Sequence, residues 1–391
     1  MFSGSISSFC ASSPVALSYL DLSSNLLEGP LSDCWGKFKY LQVLDLAKNN
    51  LSGEIPKSFG TLPDIETMHL NNNKFFGTLP EWIGNSLHRL IVLRLRANKF
   101  QGNIPTSLCN ILSLQVLDLS NNNITGEIPQ CLGHINALSK IKFPRKDFFY
   151  VSVVPYSIED TDKTNMFMDK AILVWKGENR EYGKILGLTT IIDLSYNHLT
   201  GEIPQSITTL VALASLNLSG NNLTGFIPNN IGHIEMLESL DLSKNHLYGS
   251  MPSSFSKLNF LSYMNLSCNN LSGKIPISTQ LQSFNASTYV GNNGLCGLPL
   301  TNRCPGDAIS PSGSTFKHDT NVGEDQLITF GFYISVVFGF IVGFWGVCGT
   351  LLIKSSWRYA YFQFFNNIND WIYVTLVVFI ARMKRRFQIQ D

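Results

Sequence analysis

The sequence predicts a solenoid: a right-handed superhelix of α/β-type turns with a parallel concave sheet and an irregular or 3-10 convex side, followed by one transmembrane helix. Two observations carry this. The frame L-x-x-L-x-L-x-x-N-x-L-x-G-x-I-P recurs nine times, with asparagines at Asn25, Asn49, Asn73, Asn98, Asn122, Asn197, Asn221, Asn245 and Asn269. Residues 327–353 then form an apolar run of 27 residues without a formal charge. Over the 391 residues, 44% are hydrophobic, 15% are charged and the net charge is +1, a balance that excludes a disordered chain and a dedicated nucleic-acid binder.

Each repeat has a physical reading. The L-x-L core, as in Leu44-Asp45-Leu46, alternates inward and outward like a strand, and stacked copies build a parallel sheet. The recurring asparagine can bond the backbone of the turn that follows, so the stacked side chains form a ladder. Glycine four residues later permits the next bend, and the Pro of Ile55-Pro56 or Ile128-Pro129 keeps the convex side extended. One such unit cannot bury its own apolar face, which is why the array needs neighbours and caps. The spacing is 24 residues, with one step of 25 before Asn98.

The segments Leu51-Ser52-Gly53-Glu54-Ile55-Pro56 and Leu199-Thr200-Gly201-Glu202-Ile203-Pro204 resemble the plant extracellular leucine-rich-repeat class. The resemblance runs to about residue 305 and identifies the chain as a member of the kinase-lacking receptor-like proteins. No signal peptide opens the sequence, and Phe2-Ser3-Gly4-Ser5-Ile6 fits the tail of a repeat whose strand is missing. The expectation is a chain that begins inside a solenoid, either the C-terminal part of a longer receptor or a truncated gene product.

The organisation expected is leucine-rich repeats over 1–138, an island insertion over 139–187, four further repeats over 188–278 and a C-terminal cap over 279–305. An extracellular juxtamembrane linker follows over 306–326, then the transmembrane helix over 327–353 and a short basic cytoplasmic tail over 354–391. The island breaks the repeat for 49 residues, too long for an ordinary connection. Its Val174-Trp175-Lys176-Gly177 and Glu181-Tyr182 resemble a segment common in receptor-like proteins. Trp175, Lys176 and Tyr182 are therefore candidate ligand contacts, against the alternative of a structural flap.

A second candidate surface lies on the sheet. Outward positions mostly carry Asp, Ser or Asn, but the third and fourth repeats substitute His69 and Arg94 in one column and Asn71 and Arg96 in the next. Such a basic spot suits an acidic or peptide ligand; the competing reading pairs Arg94 with Asp118 one rung away.

Eight cysteines and scattered histidines give no metal framework and imply no cofactor. The run Gly291-Asn292-Asn293-Gly294-Leu295-Cys296-Gly297-Leu298-Pro299-Leu300, then Cys304, matches the C-terminal cap of the receptor class, and the resemblance implies a Cys296–Cys304 disulfide. Cys10 and Cys34 occupy equivalent positions in successive repeats, which leaves their pairing open. Glycosylation sequons stand at Asn50, Asn123, Asn217, Asn222, Asn265, Asn270 and Asn285, some of them arising from the repeat frame itself.

Residues 327–353 would form a helix of about 40 Å, against a hydrocarbon core of about 30 Å. Glu324 and Asp325 precede this run, while Lys354, Arg358, Arg382, Lys384, Arg385 and Arg386 follow it. The positive-inside rule then gives a single-pass type I plasma-membrane protein with extracellular repeats. Gly331, Ser335, Gly339 and Gly343 recur every fourth residue as a small-residue stripe for helix pairing. The tail of about 38 residues is too short for a kinase and no G-x-G-x-x-G motif is present, so no enzyme is expected.

The resemblance implies a cell-surface receptor that binds an extracellular peptide, protein or carbohydrate and signals through a receptor-like kinase adaptor and co-receptor, in plant defence. Alternatives are a developmental peptide-signalling co-receptor, a nonfunctional truncated fragment, and a secreted inhibitor, which the apolar run of 327–353 disfavours.

Overall fold

A computed structural model describes residues 1–11, 17–140, 149–152, 165–168, 171–182 and 189–305. The expected membrane helix, its Gly331, Ser335, Gly339 and Gly343 stripe, the linker and the basic tail lie outside the described residues. Among the described residues no helix is long and apolar enough to cross a membrane.

The nine L-x-L cores form nine three-residue strands, or rungs, of one parallel sheet: Tyr19–Asp21, Val43–Asp45, Thr67–His69, Val92–Arg94, Val116–Asp118, Ile191–Asp193, Ser215–Asn217, Ser239–Asp241 and Tyr263–Asn265. The island leaves the ladder intact, because Val116–Asp118 pairs directly with Ile191–Asp193. Inward leucines such as Leu44, Leu117, Leu216 and Leu240 are fully buried and belong to one continuous core that runs the length of the array. Burying each such side chain contributes roughly 2 kcal/mol, but only when a neighbouring repeat covers it.

The asparagine ladder repeats one set of hydrogen bonds from rung to rung. Asn221 Nδ2 donates to the carbonyls of Leu194 and Leu218 at 3.0 Å, and its Oδ1 accepts from the backbone N–H of Leu199 at 3.0 Å. The ladder also has a member the repeat frame did not reveal. Asn292, in the cap, accepts from Leu271 N–H at 3.0 Å and donates to Leu266 and Tyr289 carbonyls at 2.9 Å, so the cap ends the core with the same bonds that build it. The residue before each repeat asparagine is left-handed, as at Lys48 (φ 54°) and Tyr196 (φ 51°), because the strand must turn sharply there.

The extended segment after most of the asparagines adds an element that the repeat frame does not predict. It forms a second parallel sheet of seven strands from Ser3–Gly4 to His198–Thr200, and a further three-stranded sheet from Tyr248–Ser250 to Gly294–Cys296. Short 3-10 turns such as Lys57–Thr61, Thr106–Asn110 and Gln205–Thr209 follow the prolines. The repeat with the extra residue has an α turn at Trp82–Ser86 in that place, which fits a helix of about 3.6 rather than 3.0 residues per turn.

Among the described residues three disulfides tie the turns. Cys10–Cys34 and Cys109–Cys131 join successive repeats, with Cα–Cα distances of 5.6 and 5.7 Å, and Cys296–Cys304 closes the cap at 5.0 Å. Cys268 is a free, exposed thiol.

Candidate functional site

The island contributes two antiparallel pairs: Phe149–Ser152 with Asn165–Met168, and Ala171–Trp175 with Glu178–Tyr182. The second is a tight hairpin. Lys176 (φ 55°) and Gly177 (φ 76°) form its two-residue turn, the left-handed pair that matches the twist of the flanking strands.

This hairpin lies on the outward face of the principal sheet. Ala171 and Leu173 pack on Ile91, Val92, Val116 and Ile191, with Tyr182 at the margin of the cluster. Val92, Val116 and Ile191 stand at outward positions where a strand bathed in water would carry polar residues, as Ser215 and Ser239 do further along. That apolar bed is the sequence signal for docking. At the tip, Lys176 N–H donates to Ser239 Oγ at 3.3 Å, and Lys176 Nζ meets Glu238 Oε2 at 2.8 Å. The fit is close: a Cβ on Gly177 would lie 2.9 Å from Cζ of Tyr263.

The basic spot therefore differs from its expected form. His69, Asn71 and Arg94 are buried rather than open, at 0%, 2% and 4% exposure, while Arg96 is half-buried. Arg94 is engaged from two directions. Its Nη2 donates to the carbonyl of Ile172 in the hairpin at 2.5 Å, and its Nε lies 3.8 Å from Asp118 Oδ2 on the next rung, which is the residue in register with it. Its Nη1 is 3.5 Å from His69 Nδ1.

Trp175, Lys176 and Tyr182 come together on the hairpin. The Trp175 and Tyr182 rings lie 5.4 Å apart, and Lys176 Nζ sits 5.6 Å from the Trp175 ring centre. Both rings are half-buried and Lys176 is exposed. Burial holds the Tyr182 hydroxyl above its ordinary pKa.

Beside Arg94 lies a carboxylate pair at outward positions where the repeat frame ordinarily places aspartate. Asp118 and Asp193 oppose each other in register, each 2% exposed. Asp193 Oδ1 accepts from the Ser195 N–H at 3.0 Å and the Ser195 hydroxyl at 2.6 Å, whereas its buried Oδ2 has no hydrogen-bond partner. Burial first, and then the charge of Asp118, push the Asp193 carboxyl up to about 7.

The seven sequons separate by environment. Asn50, Asn123, Asn222, Asn270 and Asn285 are exposed, while Asn217 and Asn265 are half-buried on the principal sheet, where their Oδ1 atoms accept from Ser219 and Ser267.

A stacked parallel sheet, an asparagine ladder and a hairpin folded onto the sheet define a leucine-rich-repeat protein. Residues 188–247 match the family described as Leucine rich repeat, and residues 16–38, 40–62, 64–86, 113–135 and 260–281 match Leucine Rich Repeat. The chain is 56% identical over 224 residues to Receptor-like protein EIX2 of Solanum lycopersicum, covering 57% of this chain and 22% of that protein. Among solved structures it resembles the Arabidopsis receptor kinase HAESA in complex with the peptide hormone IDA and the co-receptor SERK1. That match has a TM-score of 0.59 and 31% identity over 78% of this chain and 42% of that one. It also resembles a plant ice-binding protein, with TM-score 0.57 and 26% identity over 78% and 81% of the two chains, so the fold alone does not set the function. The chain is thus similar to plant leucine-rich-repeat receptor-like proteins and spans about a fifth of the length of the first curated relatives it matches.

Proposed function

We propose that the chain is a cell-surface receptor-like protein that binds an extracellular peptide, protein or carbohydrate through its repeats and island, signals by associating with receptor-like kinases and acts in plant defence. The observation that carries this reading is the island hairpin fastened across the principal sheet, which sets Trp175, Lys176 and Tyr182 beside a face of polar rungs. A half-buried aromatic pair with a cation at its edge offers a recognition surface at low entropic cost, since both rings are already held. Arg96 extends that surface. Arg94 meets a ligand only when the hairpin lifts and otherwise holds the hairpin in place, while His69 and Asn71 lie buried on the neighbouring rung, His69 beside Arg94. The likeness to an ectodomain bound to a peptide hormone and a co-receptor supports a peptide ligand and a kinase partner.

The membrane helix expected over 327–353 would anchor the repeats outside the cell, with Gly331, Ser335, Gly339 and Gly343 as its pairing face toward an adaptor kinase. The exposed sequons, Asn50, Asn123, Asn222, Asn270 and Asn285, are the ones open to N-glycans.

Exchange of the island tests the recognition role. Residues 139–187 placed in the ectodomain of a related receptor of known ligand should abolish response to that ligand, while the chimera still reaches the cell surface. Full retention of the original response would refute a recognition role for the island. Replacing Gly339 and Gly343 by Leu tests the partner: co-precipitation of receptor kinases should fall, and unchanged capture counts against the stripe.

A further inference from the structure

The outward second position of the rungs is aspartate at Asp21, Asp45, Asp118, Asp193 and Asp241, yet these residues live in different surroundings. Asp21 is exposed and Asp45 and Asp241 are half-buried, whereas Asp118 and Asp193, on the rungs whose Val116 and Ile191 form the hairpin's bed, are 2% exposed. The two carboxylates also face one another directly across the ladder. Two buried anions at neighbouring strand positions repel strongly in a medium with little water to screen them. Arg94 lies against Asp118 and is committed as well to the Ile172 carbonyl, and Asp193 is left with an unpartnered buried oxygen.

We propose that the Asp118–Asp193 pair makes docking of the island hairpin pH-dependent, closed in acid and released as the medium approaches neutrality. In the closed form Asp193 holds a proton, which removes the like-charge repulsion and the cost of an unpartnered buried anionic oxygen. When the hairpin lifts, water reaches the carboxyl and it ionises near the ordinary value of 3.8. The closed form thus binds one more proton than the open form between about 4 and about 7. Its advantage is complete below the open-form value, is lost as pH rises through that window, and is constant above it.

The charges around the pair fit this assignment. The fourth rung supplies Arg94 and Arg96, with His69 behind Arg94, and the seventh rung presents the uncharged Asn217. On the hairpin, Lys176 is joined to Glu238 and Arg180 to Glu178, and Tyr182 sits in the apolar margin. None of these replaces the proton on Asp193 Oδ2.

The test is deuterium exchange on the full chain at pH 5 and pH 7, with the protection of residues 171–182 expressed relative to the strand Asn270–Lys274 in the same sample, so that the intrinsic pH dependence of exchange cancels. The wild-type ratio should fall between the two conditions by up to about ten-fold per pH unit. Asp193→Asn should hold one ratio at both. That variant keeps the fold, because Asn217 and Asn265 occupy the same position on other rungs and make the same bonds to Ser219 and Ser267. Asp118→Asn should move the release to higher pH, because a neutral neighbour removes the repulsion that drives opening. A wild-type ratio that does not change, or a full change that persists in Asp193→Asn, overturns the proposal.

Discussion

Arg94 donates from Nη2 to the carbonyl of Ile172 at 2.5 Å, joining two residues 78 positions apart in sequence. The same guanidinium lies against Asp118, so one side chain holds both the sheet's acidic rung and the strand laid over it. Removing it leaves a buried carboxylate beside another. Arg94→Ala should cost about 3 kcal/mol, the scale for breaking a buried charge contact, and should speed tryptic cleavage after Arg180. Urea unfolding checks the first effect and a digestion time course the second; an unchanged digestion rate would mean that Arg94 does not hold the hairpin.

Gly177 is required twice, by its φ of +76° and by the Tyr263 ring below it. Gly177→Val should lift the tip and free the Lys176 amine from Glu238, with little effect on unfolding of the repeats. The acetylation rate of Lys176, followed by mass spectrometry, should rise severalfold.

Asn221 satisfies one N–H and two carbonyls inside the core. Asn221→Ala strands all three, and at about 1 kcal/mol for each buried group the loss should be about 3 kcal/mol. Asn221→Asp should be worse, since a carboxylate would then face the Leu194 and Leu218 carbonyls. The order of the denaturation midpoints, wild type above Ala above Asp, is the check.

Cys109 and Cys131 close a loop with a sequence separation of 22. On the loop-entropy account, replacing both by Ser should lower stability by about 3 kcal/mol. Unfolding with and without reductant should show the same difference in the native protein, after allowance for Cys10–Cys34 and Cys296–Cys304.

Much of this architecture was legible because a local rule repeats. The L-x-L cores gave the nine rungs, and the spaced asparagines gave the ladder. Asn292 escaped because the cap breaks the spacing, and the second sheet escaped because N-x-L-x-G reads as a bend until neighbours pair with it. The Arg94–Asp118 contact followed from register alone. Burial of His69, Asn71 and Arg94 did not, and for Arg94 it comes with a bond to a hairpin from a distant, non-repeating segment. Its trace was Val92, Val116 and Ile191 standing where outward residues should be polar. The Asp118–Asp193 pair was hidden for the opposite reason: aspartate is what the frame puts at that position, and only the cover above makes it unusual.

The docking of the hairpin on the sheet is the relationship from which the rest follows, and a zero-length carbodiimide cross-link reads it in the native chain. Lys176 Nζ and Glu238 Oε2 are 2.8 Å apart with both side chains partly accessible, so activation of the carboxylate should give an amide between them, identified by mass spectrometry and lost in Arg94→Ala. Absence of that link from the wild-type chain, with Lys176 shown to be reactive toward a soluble acylating reagent, would contradict the docked hairpin.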